Sequence, residues 1–144
     1  MKKLYFGHPV NVYNAPLENQ LIKTIGLAFP EWEIENPNQQ KHQDGYKKWT
    51  AKTGRGMDYY FQEVLPQMNG GIFLPFIDGK FGAGVFGEAE NLFKANKKIW
   101  TINHQKIVKS VQSVNSLPFL SVDETRQRIY VAGKRENGIK SYFD

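Results

Sequence analysis

Apolar residues come in short blocks along the chain, and the period of those blocks changes from one to the next. Leu4-Tyr5-Phe6 is a compact apolar run stopped by Gly7 and Pro9, which predicts a short buried strand. Residues 8–16 are rich in Pro and Asn and predict a loop. From Leu17 to Phe29 the apolar positions Leu17, Leu21, Ile22, Ile25 and Phe29 share one helical face, and Pro30 ends the helix. Trp32–Glu35 alternates apolar with acidic and predicts a strand, closed by Asn36-Pro37. Residues 36–45 are polar and loop-like.

A helical pattern starts near Tyr46, breaks at Gly54-Arg55-Gly56, and resumes from about Met57 to Met68, with Pro66 near the end where a proline disrupts least. Ile72–Phe76 predicts a strand, followed by a glycine-rich loop and a helix from about Val85 to Ala95. Lys98–Ile102 predicts a further strand and about Gln105 to Val114 a helix. Ser121-Val122-Asp123-Glu124 has the form of a capping box opening a short helix through Arg128. Strands alternating with helices predict an α/β fold. It would be a small doubly wound parallel sheet, flavodoxin-like, with four or five strands and helices on both faces. Its 144 residues are expected to form a single domain.

Composition narrows the chemistry. With no cysteine, disulfides, zinc–thiolate sites and cysteine nucleophiles are excluded. Met1-Lys2-Lys3 is not followed by an apolar signal-peptide core and no run approaches a membrane span, so a cytoplasmic location and no membrane partner are expected. The net charge of +5 is spread over scattered lysines, which suits a solvated basic surface or attraction of an anionic ligand. Tyr46-Lys47-Lys48-Trp49 is too short a basic–aromatic stripe for bulk nucleic-acid binding.

The chemistry concentrates after the strand at Ile72–Phe76. The segment Ile77-Asp78-Gly79-Lys80-Phe81-Gly82-Ala83-Gly84-Val85-Phe86-Gly87-Glu88 turns on glycines and delivers Glu88 near the start of a helix. In an open α/β sheet, ligands sit beyond the C-terminal ends of the strands. A carboxylate there can act as nucleophile or base, and the helix dipole would favour its ionised form. Gly7, Gly82 and Gly84 would let a substrate approach the backbone. His8 and Asn11, in the exit loop of the first strand, could bind hydroxyls or phosphate. Asp78 sits at the strand end, although Asp-Gly is also a common turn pair. Asp58 and Glu63 lie five residues apart on one predicted helix, so one could face the site and the other water. His42 and His104 have no partner at metal-ligand spacing, so no metal and no cofactor are expected. Gly82-Ala83-Gly84 lacks the position and spacing of a dinucleotide fingerprint, and there is no Walker lysine–serine pair.

Together these pieces resemble the nucleoside 2-deoxyribosyltransferase superfamily, which also includes nucleoside-monophosphate N-glycosidases. The resemblance covers about residues 4–102. Leu4-Tyr5-Phe6-Gly7 is similar to the family's first strand, Ile72–Phe76 to the strand before its catalytic loop, and Gly84-Val85-Phe86-Gly87-Glu88 to its glycine-containing run ending in the nucleophile. Lys97-Lys98-Ile99-Trp100 is similar to the family's approach to the next strand. The resemblance implies Glu88 as nucleophile, Tyr5 as the residue orienting it, and Glu63 or Asp58 as a second acid. The family's Asp before the loop glycine is absent, Gly82 standing in its place with Asp78 earlier. Asn103 would be a donor completing a neighbouring subunit's site.

What the resemblance implies is cleavage or transfer at the N-glycosidic bond of a nucleoside or nucleotide; a monophosphate substrate would want donors, which His8, Asn11 and Arg55 could supply. The apolar residues Val10, Val12, Tyr13, Phe76, Phe81 and Phe86 in the loops lead to an expected homodimer or larger assembly. The alternatives are a non-catalytic nucleotide- or sugar-binding module on the same fold, or an enzyme on another sugar-like ligand.

Overall fold

The computed structural model describes residues 1–131 and 134–135. Its centre is a five-stranded sheet in the order β2-β1-β3-β4-β5. The strands are β1 (Lys2–Gly7), β2 (Trp32–Glu35), β3 (Gly70–Phe73), β4 (Lys98–Ile102) and β5 (Val108–Ser110). The first four are parallel, with Leu4 opposite both Ile34 and Gly70, and Ile72 opposite Trp100. β5 pairs antiparallel with β4, Thr101 facing Lys109. This is the flavodoxin-like α/β arrangement, with its topological switch point between β1 and β3.

Side-chain alternation along the parallel strands builds a core on each face. Leu4, Phe6, Ile72, Leu74 and Ile102 point to one side and pack with Val12 and with Leu21 and Ile25 of α1 (Pro16–Ala28). Tyr5, Phe73 and Ile99 point to the other and pack with Val85, Ala89 and Leu92 of α3 (Ala83–Lys94), together with Tyr60, Val64 and Leu65. Among the described residues no helix is long and apolar enough to cross a membrane.

Several boundaries differ from those the pattern predicts. α2 runs over Gln40–Thr53, so it starts inside the segment expected to be loop. It is polar and its buried residue is His42, so it carries almost no apolar stripe to reveal it. It ends at Gly54, whose φ of 75° closes the helix in the left-handed region. Residues 58–67 are helical as expected, but the turn widens to a π-helix at Tyr60–Val64 and tightens at Leu65–Gln67. The helix expected over Gln105–Val114 is absent: a tight turn leads into β5 instead. Asn103 causes this. Its Oδ1 accepts from the backbone N–H groups of Gln105 (2.9 Å) and Ile107 (3.0 Å), offering that segment an alternative to helical bonding. Lys106 takes φ 67° at the turn.

After β5 the chain returns across the sheet's end to α4 (Val122–Ile129), then forms a small antiparallel pair, β6 (Tyr130–Val131) with β7 (Lys134–Arg135). The predicted capping box is present: Ser121 Oγ accepts from Glu124 N–H (3.1 Å), and Glu124 Oε1 accepts from Ser121 N–H (2.9 Å).

Candidate functional site

A cavity of about 580 Å³ opens at the C-terminal ends of β1 and β3. His8 and Pro9 border it just past β1, Phe76 just past β3, and Gly82, Gly84 and Val85 at the start of α3. Glu88 lines it from the second turn of α3, only 5% exposed, and accepts a hydrogen bond from the Tyr5 hydroxyl. Tyr5 is held in turn by the edge of Tyr60 (centroids 6.5 Å apart) and by Phe73 (6.3 Å). Glycine at position 7 is required here: a Cβ would lie 2.5 Å from Phe73 and 3.3 Å from Glu88 Oε1.

Burial pushes the Glu88 carboxyl up to about 8, and the Tyr5 hydrogen bond opposes this only in part. The helix dipole therefore does not hold Glu88 ionised, contrary to the expectation from the sequence. The dipole acts within the first turn of a helix, and Glu88 lies beyond it, where desolvation wins. Burial and the neighbouring Glu88 also raise the Tyr5 phenol well above its usual value, so Tyr5 stays a neutral donor.

The structure brings Tyr5, His8, Gly82, Gly84 and Glu88 to one cavity, with Gly7 directly behind. His8 is in the wall, but its ring is committed elsewhere: Nδ1 meets the Phe6 carbonyl at 2.9 Å and Nε2 meets Glu18 Oε2 at 2.8 Å. Glu18 is held below its usual range by His8 and Asn38, against the cost of its burial. This network ties the β1 exit loop to α1 and to Asn38. Asn11 is buried, and its Nδ2 donates to the Arg128 carbonyl (3.0 Å).

Other sequence candidates lie outside the cavity. Asp78 is in an exposed turn, gripped by Arg128 through bonds of 2.9 and 2.7 Å, and Arg128 holds its carboxyl low. Asp58 pairs with Arg55 at 3.2 Å, and Glu63 is exposed. Among the described residues Glu88 is the only carboxylate lining the cavity. Asn103 is used in the β4–β5 turn. Of the loop residues expected to face another subunit, Val12, Phe76 and Phe81 are buried within the chain, and Phe86 stacks on Phe119 at 4.1 Å.

Sequence reasoning missed the far walls. Tyr13, Tyr46, Met57 and Tyr60 line the cavity, as do Lys47 from α2 and Thr125, Arg126 and Ile129 from α4. α4 seats directly on the start of α3, the Thr125 hydroxyl accepting from Ala83 N–H at 2.9 Å. The cluster Tyr59-Tyr60 beside a glycine-broken helix was the one available signal for the aromatic wall.

Fold and cavity together define a doubly wound α/β protein with Glu88 buried at its switch point. No protein-family model matches the chain, and comparisons with curated proteins and with solved structures gave no significant match.

Proposed function

We propose that this protein cleaves or transfers an N-glycosidic bond of a nucleoside or nucleotide, with Glu88 as nucleophile. The observation that supports this most directly is a carboxylate withdrawn from water, hydrogen-bonded by Tyr5, and facing a ligand-sized cavity at the switch point. Breaking the bond between C1′ and the base nitrogen develops positive charge on the sugar. An ionised Glu88 oxygen forms the new bond to C1′ as the old bond's electron pair leaves with the base. Water or a second base then attacks C1′ and the carboxylate departs with its pair. The Glu88 proton must leave before the attack, so activity rises as pH approaches about 8.

The test is release of free base from a panel of deoxynucleosides and their monophosphates. Glu88→Gln is expected to abolish release while the protein still folds. Full activity in that variant would remove Glu88 from the reaction. A second reading, a non-catalytic nucleotide-binding module, draws support from the single carboxylate in the cavity. Calorimetric binding without turnover would favour it.

A further inference from the structure

The cavity's walls differ in chemistry. Its inner end holds Glu88 with Tyr5 and Tyr60, and Tyr13, Tyr46 and Phe76 complete an aromatic lining. Aromatic rings present negative π faces, and a carboxylate among them makes a site whose natural complement is a cation. With a neutral ligand Glu88 keeps its proton, whereas a cationic one supplies the counter-charge that lets the buried carboxyl ionise beside Tyr5. The rim is positively charged. Lys47 of α2 and Arg126 of α4 border the cavity, both exposed and neither in an ion pair among the described residues. The neighbouring Arg55 and Arg128, by contrast, are engaged with Asp58 and Asp78.

This division also bears on the leaving group. A purine or pyrimidine departing from a neutral nucleoside takes up a proton from an acid within hydrogen-bond reach. Asp58 and Glu63, the two residues expected in that role, lie outside the cavity. A base joined to the sugar through a positively charged ring nitrogen departs neutral and needs no proton.

Building on the assignment of Glu88 as nucleophile, we propose that the preferred substrate is an N-glycoside of the pyridinium type carrying a phosphate. Its cationic ring would sit against Glu88 and the tyrosines, and its phosphate between Lys47 and Arg126. A Glu88 oxygen bonds to C1′ while the C1′–N electron pair returns to the ring, which leaves as the neutral base. Water attacks C1′, the glycosyl–Glu88 bond breaks with its pair returning to the carboxylate, and the water's extra proton passes to solvent. Each hydrolysis therefore releases one proton, which hydrolysis to a neutral base from a neutral nucleoside does not.

Two probes decide this, nicotinamide mononucleotide as the pyridinium phosphate and deoxyadenosine monophosphate as the neutral-base phosphate, each with wild type and with Glu88→Gln. The expected result is base release from the pyridinium probe at least about tenfold faster in kcat/KM, with proton release, and loss of that activity in Glu88→Gln. Its pH profile should rise to a plateau above about 8, with no alkaline limb. Arg126→Ala should shrink the KM advantage of this probe over its unphosphorylated riboside by about tenfold. Equal or faster cleavage of deoxyadenosine monophosphate, lost in Glu88→Gln, overturns the pyridinium preference and leaves the glycosidic reading standing. So does a bell-shaped profile on the pyridinium probe. Cleavage of neither probe, nor of any nucleoside in the wider panel, overturns both.

Discussion

The wall that carries Glu88 and the wall that α4 supplies are held by different forces. Glu88 stands on a helix whose inner face, Val85, Ala89 and Leu92, is packed against β1, β3 and β4. Its partner Tyr5 is part of the central strand and 1% exposed. α4 has no buried residue. It is pinned by polar contacts at its margins: Thr125 to the start of α3, Arg128 to Asp78, and the Arg128 carbonyl to Asn11. Apolar packing fixes position densely and resists water, while exposed hydrogen bonds and ion pairs exchange readily with it. The molecule thus sets its buried acid on densely packed elements and faces it with an element held mainly by polar contacts.

The sharpest way to break this contrast is at Glu88. Glu88→Gln should lower kcat by on the order of 10³-fold or more, with a thermal melt showing the fold intact. A variant that melts normally and keeps its rate would place the chemistry elsewhere.

Tyr5→Phe tests the same wall one step out. Losing a hydrogen bond to a charged group is worth about 1.5–3 kcal/mol, so a fall of about 10–100-fold is expected. That hydrogen bond lowers the Glu88 value, so the midpoint of the pH–rate profile should move upward from about 8. An unmoved midpoint would show that Tyr5 does not tune Glu88.

Glu88 also leaves a mark on stability. Its carboxyl is raised by folding, so its contribution to stability is fully present below the unfolded value near 4.5. That contribution is lost as pH climbs to about 8. Wild type should therefore lose stability relative to Glu88→Gln across that interval and run parallel to it above. Denaturant titrations at a series of pH values would show this, and a constant difference would contradict the buried state of Glu88.

The smallest effect belongs to the other wall. Asp78→Ala removes an exposed ion pair worth at most about 1 kcal/mol, so the melting temperature should scarcely change. Hydrogen exchange should nonetheless quicken in α4 and not in α3. Equal quickening in both would show that the two walls form one cooperative unit.

Much of this was legible in the chain. The run Leu4-Tyr5-Phe6, the α1 stripe and the glycine loop ending in Glu88 each carry a local signal, either a periodicity or a residue type with few conformational options. The α2 boundary was hidden because a polar helix that buries little beyond His42 has no stripe. β5 was hidden because a side-chain acceptor, Asn103, redirects a segment whose apolar spacing fits a helix equally well. The placement of Glu63 lies within a π-helical turn, which rotates side chains around the axis and cannot be foreseen from a 3.6-residue period.

The sequence by itself determined the alternation of strands and helices, the glycines that free the backbone beside the site, and the presence of Glu88 on the helix that follows. These depend on neighbours a few residues away. Only the tertiary structure decided that Glu88 meets Tyr5 across 83 positions of chain, that burial keeps its proton, and that α4 brings Arg126 to the rim. Desolvation and counter-charge depend on what surrounds a group in space, and that is fixed when the sheet closes and the last helix seats on α3.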